Sequence, residues 1–113
     1  MPRKDEREPF YRVDVAEASD MVKEDGVAVI DVREPHEYQA GHIPDATLIP
    51  VNSVFARREE LPKDKKILFV CAVGQRSALA AEMAAAAGLP ADQLYTLDGG
   101  TDAWKKAGQP VEA

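Results

Sequence analysis

Lys66-Ile-Leu-Phe-Val-Cys71-Ala-Val-Gly-Gln-Arg76-Ser77-Ala-Leu-Ala-Ala-Glu82 is the stretch whose reading sets the architecture. Ile67–Val70 is a short, continuous apolar run, the pattern of a strand buried on both faces. From Ser77 onward the chain is rich in Ala, Leu, Met and Glu and reads as a helix. Cys71 therefore stands where a strand ends and a tight loop turns into a helix. N–H groups at a helix start have no intrahelical partner and favour negative charge in front of them. The thiolate is the nucleophilic form of cysteine, and such a position favours it.

The same alternation continues on either side. Asp14 followed by Glu17 has capping-box spacing and opens a helix to about Glu24, stopped at Gly26. Val27–Ile30 reads as a buried strand ending at Asp31-Val-Arg33. Pro35 suits the first turn of a short helix to Ala40, closed by Gly41. Thr47–Ile49 is a short strand before Pro50, and Asn52 or Ser53 is expected to cap a helix ending near Leu61. The helix after Cys71 runs to Ala87 and stops at Gly88. Leu94–Leu97 is the last strand, and Gly99-Gly100 turns into a final helix, Asp102–Ala107, before Gly108.

Strands alternating with helices imply an α/β fold: a mainly parallel central sheet of about five strands, flanked by helices on both faces. Such open sheets bind ligands beyond the carboxyl ends of their strands. Asp31 and Cys71 both lie at such ends, so one crevice is expected to hold them. Residues 1–9 are charged and are expected to be a flexible segment; residues 10–113 form a single domain without internal repeat or linker.

Composition excludes more than it selects. A chain of 113 residues can bury a core without staples. Its net charge of −6 argues against nucleic acid or an anionic membrane as partner. One cysteine cannot form an intrachain disulfide, so the fold does not rely on an oxidising compartment. Met1–Pro9 lacks the apolar core of a signal peptide, and the longest apolar runs are too short to cross a bilayer. A cytoplasmic monomer is the expectation.

Several motifs occur in order: Ile30-Asp-Val-Arg33, Glu37-Tyr38, Gly41-His-Ile-Pro-Asp-Ala46, Cys71-x-x-Gly74-x-Arg76-Ser77, Leu97-Asp-Gly-Gly100, Ala103-Trp104 and Ala107-Gly-Gln-Pro-Val111. Together they resemble the single-domain rhodanese, or thiosulfate sulfurtransferase, family over about Val13 to Val111. The resemblance implies a catalytic Cys71 that takes sulfane sulfur from thiosulfate or a persulfide. The resulting Cys71 persulfide passes its sulfur to cyanide or a thiol. A partner protein's persulfide is a further candidate donor. No cofactor or metal is called for, since a preformed thiolate needs no separate general base. The amides of Ala72, Val73, Gly74, Gln75, Arg76 and Ser77 are expected to cradle the anionic sulfur as a backbone nest.

The resemblance also has rivals. Cysteine-dependent phosphatases of similar fold use Cys-x5-Arg, with His commonly before the cysteine; here the spacing is Cys-x4-Arg and Val70 precedes. A loop one residue shorter suits a single terminal sulfur better than a tetrahedral phosphate, which ranks phosphatase or arsenate reductase low. A sulfur-carrier module serving one partner, with little free turnover, is the stronger alternative. Rhodaneses efficient on thiosulfate often carry cations directly after the cysteine, whereas this loop has Ala72 and Val73 and one charge, Arg76. A donor less anionic than thiosulfate fits it better. Arg76 near a helix start needs an anionic partner. Asp31 is the expected one, with Arg33 adding positive potential. His42, Tyr38 and Trp104 are read as structural.

Overall fold

A computed structural model describes residues 1–113. The apolar run singled out above is β4 (Lys66–Val70), in the middle of the sheet. It is flanked by β2 (Val27–Asp31) and β5 (Leu94–Leu97), with β1 (Tyr11–Val13) and β3 (Thr47–Leu48) at the edges. The order is β1-β5-β4-β2-β3 and every pairing is parallel. β2 and β4 pair over their whole length, from Val27 opposite Lys66 to Asp31 opposite Val70. The α/β expectation of about five strands therefore holds.

The connecting helices are α1 (Val15–Met21), α2 (Pro35–Gln39), α3 (Val51–Val54), α4 (Gln75–Ala86) and α5 (Gly100–Lys106). Alternate strand residues feed two separate cores, as a sheet covered on both faces requires. Ile67, Phe69 and Cys71 join Val51 and Val54 of α3 and Ala80, Ala81 and Ala84 of α4 on one face. Leu68 and Val70 join Ala18 and Met21 of α1 and Trp104 of α5 on the other. The small alanines let α4 lie close to the sheet.

Local signals account for most of the ends. Glu17 N–H donates to Asp14 Oδ1 (2.8 Å) and Asp14 N–H to Glu17 Oε1 (2.9 Å), the reciprocal capping box expected from their spacing. Other boundaries need correction. α3 is a four-residue helix led in by Pro50, and neither Asn52 nor Ser53 caps it; a separate 3₁₀ turn, Arg58–Glu60, follows. α4 begins at Gln75 rather than Ser77, and α5 at Gly100 rather than Asp102. β1 has no forerunner in the sequence reading. Residues 1–9 hold no element of their own; Arg3 makes one antiparallel bridge with Arg12. No helix is long and apolar enough to cross a membrane.

Strand order reverses between β2 and β4: the chain leaves β2 toward β3 and leaves β4 the opposite way, toward β5. Loops at such a switch point diverge and open a crevice at the carboxyl edge. Asp31 and Cys71 stand on its two sides.

Candidate active site

Cys71 continues the inward face of β4 and is fully buried at 0% exposure. Two backbone N–H groups donate to its Sγ, from Gly74 at 3.1 Å and Ser77 at 3.3 Å. The Ser77 hydroxyl lies 3.6 Å from the same sulfur. It donates to the Gly74 carbonyl at 3.1 Å and shares a hydrogen bond with Thr96 Oγ1 of β5. Gly74 caps α4 at φ 102°, a left-handed conformation that costs other residues dearly. That turn aims the Gly74 and Ser77 amides at one atom. The N–H groups of Ala72, Val73, Gln75 and Arg76 take no acceptor within the protein. Of the six amides of the expected nest, two engage the sulfur and four are open. Directed amides favour negative charge on sulfur without a counterion.

A second turn backs the loop. Thr101 N–H donates to the Cys71 carbonyl (2.8 Å) and Asp102 N–H to the Ala72 carbonyl (3.1 Å). The chain passes so close that a Cβ on Gly100 would lie 2.2 Å from the Cys71 carbonyl oxygen. Gly100 is required there by close approach as well as by its φ of 61°. The Thr101 hydroxyl is buried without a partner.

The charged residues are arranged differently from expectation. Asp31 does not pair with Arg76. Its carboxylate receives Arg33 Nε at 3.0 Å and Nη2 at 2.8 Å, and Arg33 N–H at 3.0 Å. Both side chains are buried, so the nearest donors in the chain satisfy the acid first. Arg33 Nη2 also donates to the Gly41 carbonyl at 2.9 Å, tying β2 to the far end of α2. Arg33 therefore neutralises a buried acid instead of projecting charge into the crevice.

Arg76 reaches across the switch point to Glu37 of α2 in a two-pronged pair, 2.7 Å and 2.9 Å. The guanidinium's hydrogen bonds hold the Glu37 carboxyl down at about 2. The Arg76 guanidinium is correspondingly raised by Glu37, with a smaller contribution from Cys71 nearby. In the sequence Glu37 is marked only by its place in a motif; what brings it to Arg76 is its position in the first turn of α2, opposite the loop. Thr96 and Thr101 carried no signal at all.

His42, Tyr38 and Trp104 are each bonded to backbone carbonyls. His42 Nδ1 bonds the Tyr38 carbonyl (2.8 Å) and its ring stacks on Tyr38, whose hydroxyl donates to the Ala46 carbonyl (2.6 Å). Trp104 Nε1 donates to the Pro110 carbonyl at 2.8 Å. None of the surface hollows is lined by residues 71–77.

Known proteins resemble the chain over most of its length. A family model described as a rhodanese-like domain matches residues 14–107. Thiosulfate sulfurtransferase GlpE of Pseudoalteromonas translucida is 31% identical, over 87% of this chain and 91% of that protein. GlpE of Vibrio cholerae is 30% identical, over 92% and 96% respectively. Among solved structures, a rhodanese-related protein from Thermoplasma volcanium superposes with a TM-score of 0.81 at 33% identity, covering 89% of this chain and 96% of that one. A Rhodopseudomonas palustris protein described as a possible tyrosine phosphatase superposes with a TM-score of 0.80 at 30% identity, covering 99% of both chains.

Proposed function

The chain belongs to the rhodanese-like domain family, and from that premise we propose that it is a sulfurtransferase working through a Cys71 persulfide. The Cys71 thiolate attacks the outer sulfur of a donor. For thiosulfate, the new S–S bond forms as the old one breaks, and sulfite leaves with the bonding pair. An acceptor such as cyanide or a thiolate then attacks the terminal sulfur and returns the thiolate. Charge balances at each step, and no outside oxidant or reductant is needed. The observation that carries this reading is the pair of amides, Gly74 and Ser77, converging on Sγ. The open amides of Ala72, Val73, Gln75 and Arg76 are available to the sulfur once it is one atom longer. Asp31 and Arg33 support the site indirectly, by fixing the end of α2.

The uncharged Ala72 and Val73 favour a persulfide donor over thiosulfate. Intact-protein mass spectrometry after incubation with each candidate donor tests the scheme. The expected product carries one added sulfur, removable by cyanide, and the Cys71→Ser variant gains none. Sulfur uptake by Cys71→Ser, or none by wild type from any donor, refutes the proposal.

A sulfur-carrier role is the second reading, favoured by one observation. Cys71 is wholly covered, while Val73 beside it is 55% exposed, an apolar contact for a partner. Stoichiometric loading with negligible steady-state turnover would select the carrier. The phosphatase reading predicts hydrolysis of an aryl phosphate, which the short loop disfavours.

A further inference from the structure

Glu37 takes no part in the sulfur chemistry, yet it holds the only cation of the cysteine loop. We propose that Glu37 is a specificity-determining residue: by engaging Arg76 in a two-pronged ion pair it withholds positive charge from dianionic sulfur donors and leaves Cys71 to donors of lower charge. The inference rests on the sulfurtransferase reading above.

Three observations converge. Arg76 has no acceptor in the protein other than the two Glu37 oxygens. Glu37 is itself anchored. Its Oε1 accepts the Glu34 N–H at 3.0 Å, and α2 is tied down through Arg33 on the Gly41 carbonyl and the Tyr38 hydroxyl on the Ala46 carbonyl. The carboxylate therefore cannot follow if the guanidinium swings toward the sulfur, so an anion can gain Arg76 only by breaking the pair. Of the other acids near the loop, Asp31 is paired with Arg33 and Asp98 with Arg12 and Arg3, while the exposed Asp102 has no cationic partner and adds to the negative field. With Arg76 and Glu37 cancelling, an ionised Cys71 leaves the loop net negative. A thiosulfate dianion is repelled by that field twice as strongly as a singly charged persulfide.

The test compares KM and kcat for thiosulfate and for a singly charged alkyl persulfide. Glu37→Gln keeps an oxygen for the Glu34 N–H and removes only the charge. It should lower the thiosulfate KM about fivefold at low salt, the range of a half-exposed ion pair. The persulfide KM should shift by about twofold or less, and kcat should stay close to wild type. The gain should shrink as salt rises. Adding Arg76→Gln to Glu37→Gln should return the thiosulfate KM to its wild-type value, because the pair's net charge is again zero. Equal shifts for both donors, no shift for thiosulfate, or a gain that survives Arg76→Gln overturns the inference. If Glu37→Gln alone does not fold, the double variant decides: a thiosulfate KM well above wild type, with persulfide unaffected, means Arg76 already serves the dianion and also overturns it. Wild type that loads sulfur from neither donor overturns both this inference and the function on which it rests. Intact loading with an unchanged donor ratio overturns this inference alone.

Discussion

Two arginine–carboxylate pairs stand on β2–α2 and across to α4, and they teach opposite lessons. Arg33 and Asp31 are two residues apart in sequence and almost without solvent, at 4% and 0% side-chain exposure. Arg76 and Glu37 come from different helices and keep 34% and 25% of their side-chain surface. A buried pair gives little net stability, but either member left alone is a stranded charge. A half-exposed pair can open and close, because water replaces what each partner loses. The first pair fixes shape; the second is the one assigned, in the inference above, to the charge that a substrate meets.

The sharpest way to break this contrast is Arg33→Ala. It strands the Asp31 carboxylate and frees the Gly41 carbonyl, so urea denaturation should show a loss of about 3–5 kcal/mol. A loss below about 1 kcal/mol would put the two pairs in the same class. Next comes the loop that Arg76 leaves. Gly74→Val forces a β-branched residue to φ 102° and turns an amide away from sulfur. The local strain alone is about 1–3 kcal/mol, and sulfur transfer should fall at least about tenfold. Gln75→Ala, on an exposed residue, should barely change it. The reverse order in measured transfer rates would remove backbone direction from the account.

Smaller again is the stability carried by Glu37. Its folded value of about 2 lies below the ordinary 4.5, so its contribution is complete above pH 4.5 and is lost as pH falls through about 2. After solvent screening that contribution is about 1 kcal/mol. Wild type should therefore be more stable than Glu37→Gln at neutral pH, and the gap should close between pH 4.5 and 2. A gap that widens on acidification would contradict the pairing. Smallest of all is Arg57→Ala, which removes an exposed pair with Glu60. The urea midpoint should not move measurably.

The same contrast explains what could be read in the sequence. Features governed by neighbours are legible: the Asp14–Glu17 box and the two-sided burial of Ile67–Val70. That Arg76 needs an anion is legible from its place at a helix start, but its partner lies 39 residues away on another helix. Nothing local distinguishes Glu37 from Asp31 as that anion. What decides is that Asp31 is already consumed by Arg33, a competition visible only in three dimensions. β1 escaped because three residues with a charged centre, Tyr11-Arg-Val13, carry no usable periodicity; the strand exists through pairing with β5. A helix after Pro50 is legible, but its start is not, because Pro50 fixes it by backbone geometry without a capping side chain.

The bonds from Thr101 and Asp102 to the carbonyls of Cys71 and Ala72 bear on time as well as shape. A peptide unit whose oxygen is held from behind cannot turn over, and Gly100 leaves no slack for it to try. In the proposed transfer the cradle therefore keeps one shape before sulfur arrives, while it is held and after it departs, and only one atom and its electrons travel. Deuterium uptake at the Thr101 and Asp102 amides should accordingly be slow and identical in the thiolate and sulfur-loaded states, a stationary frame through which the cargo passes.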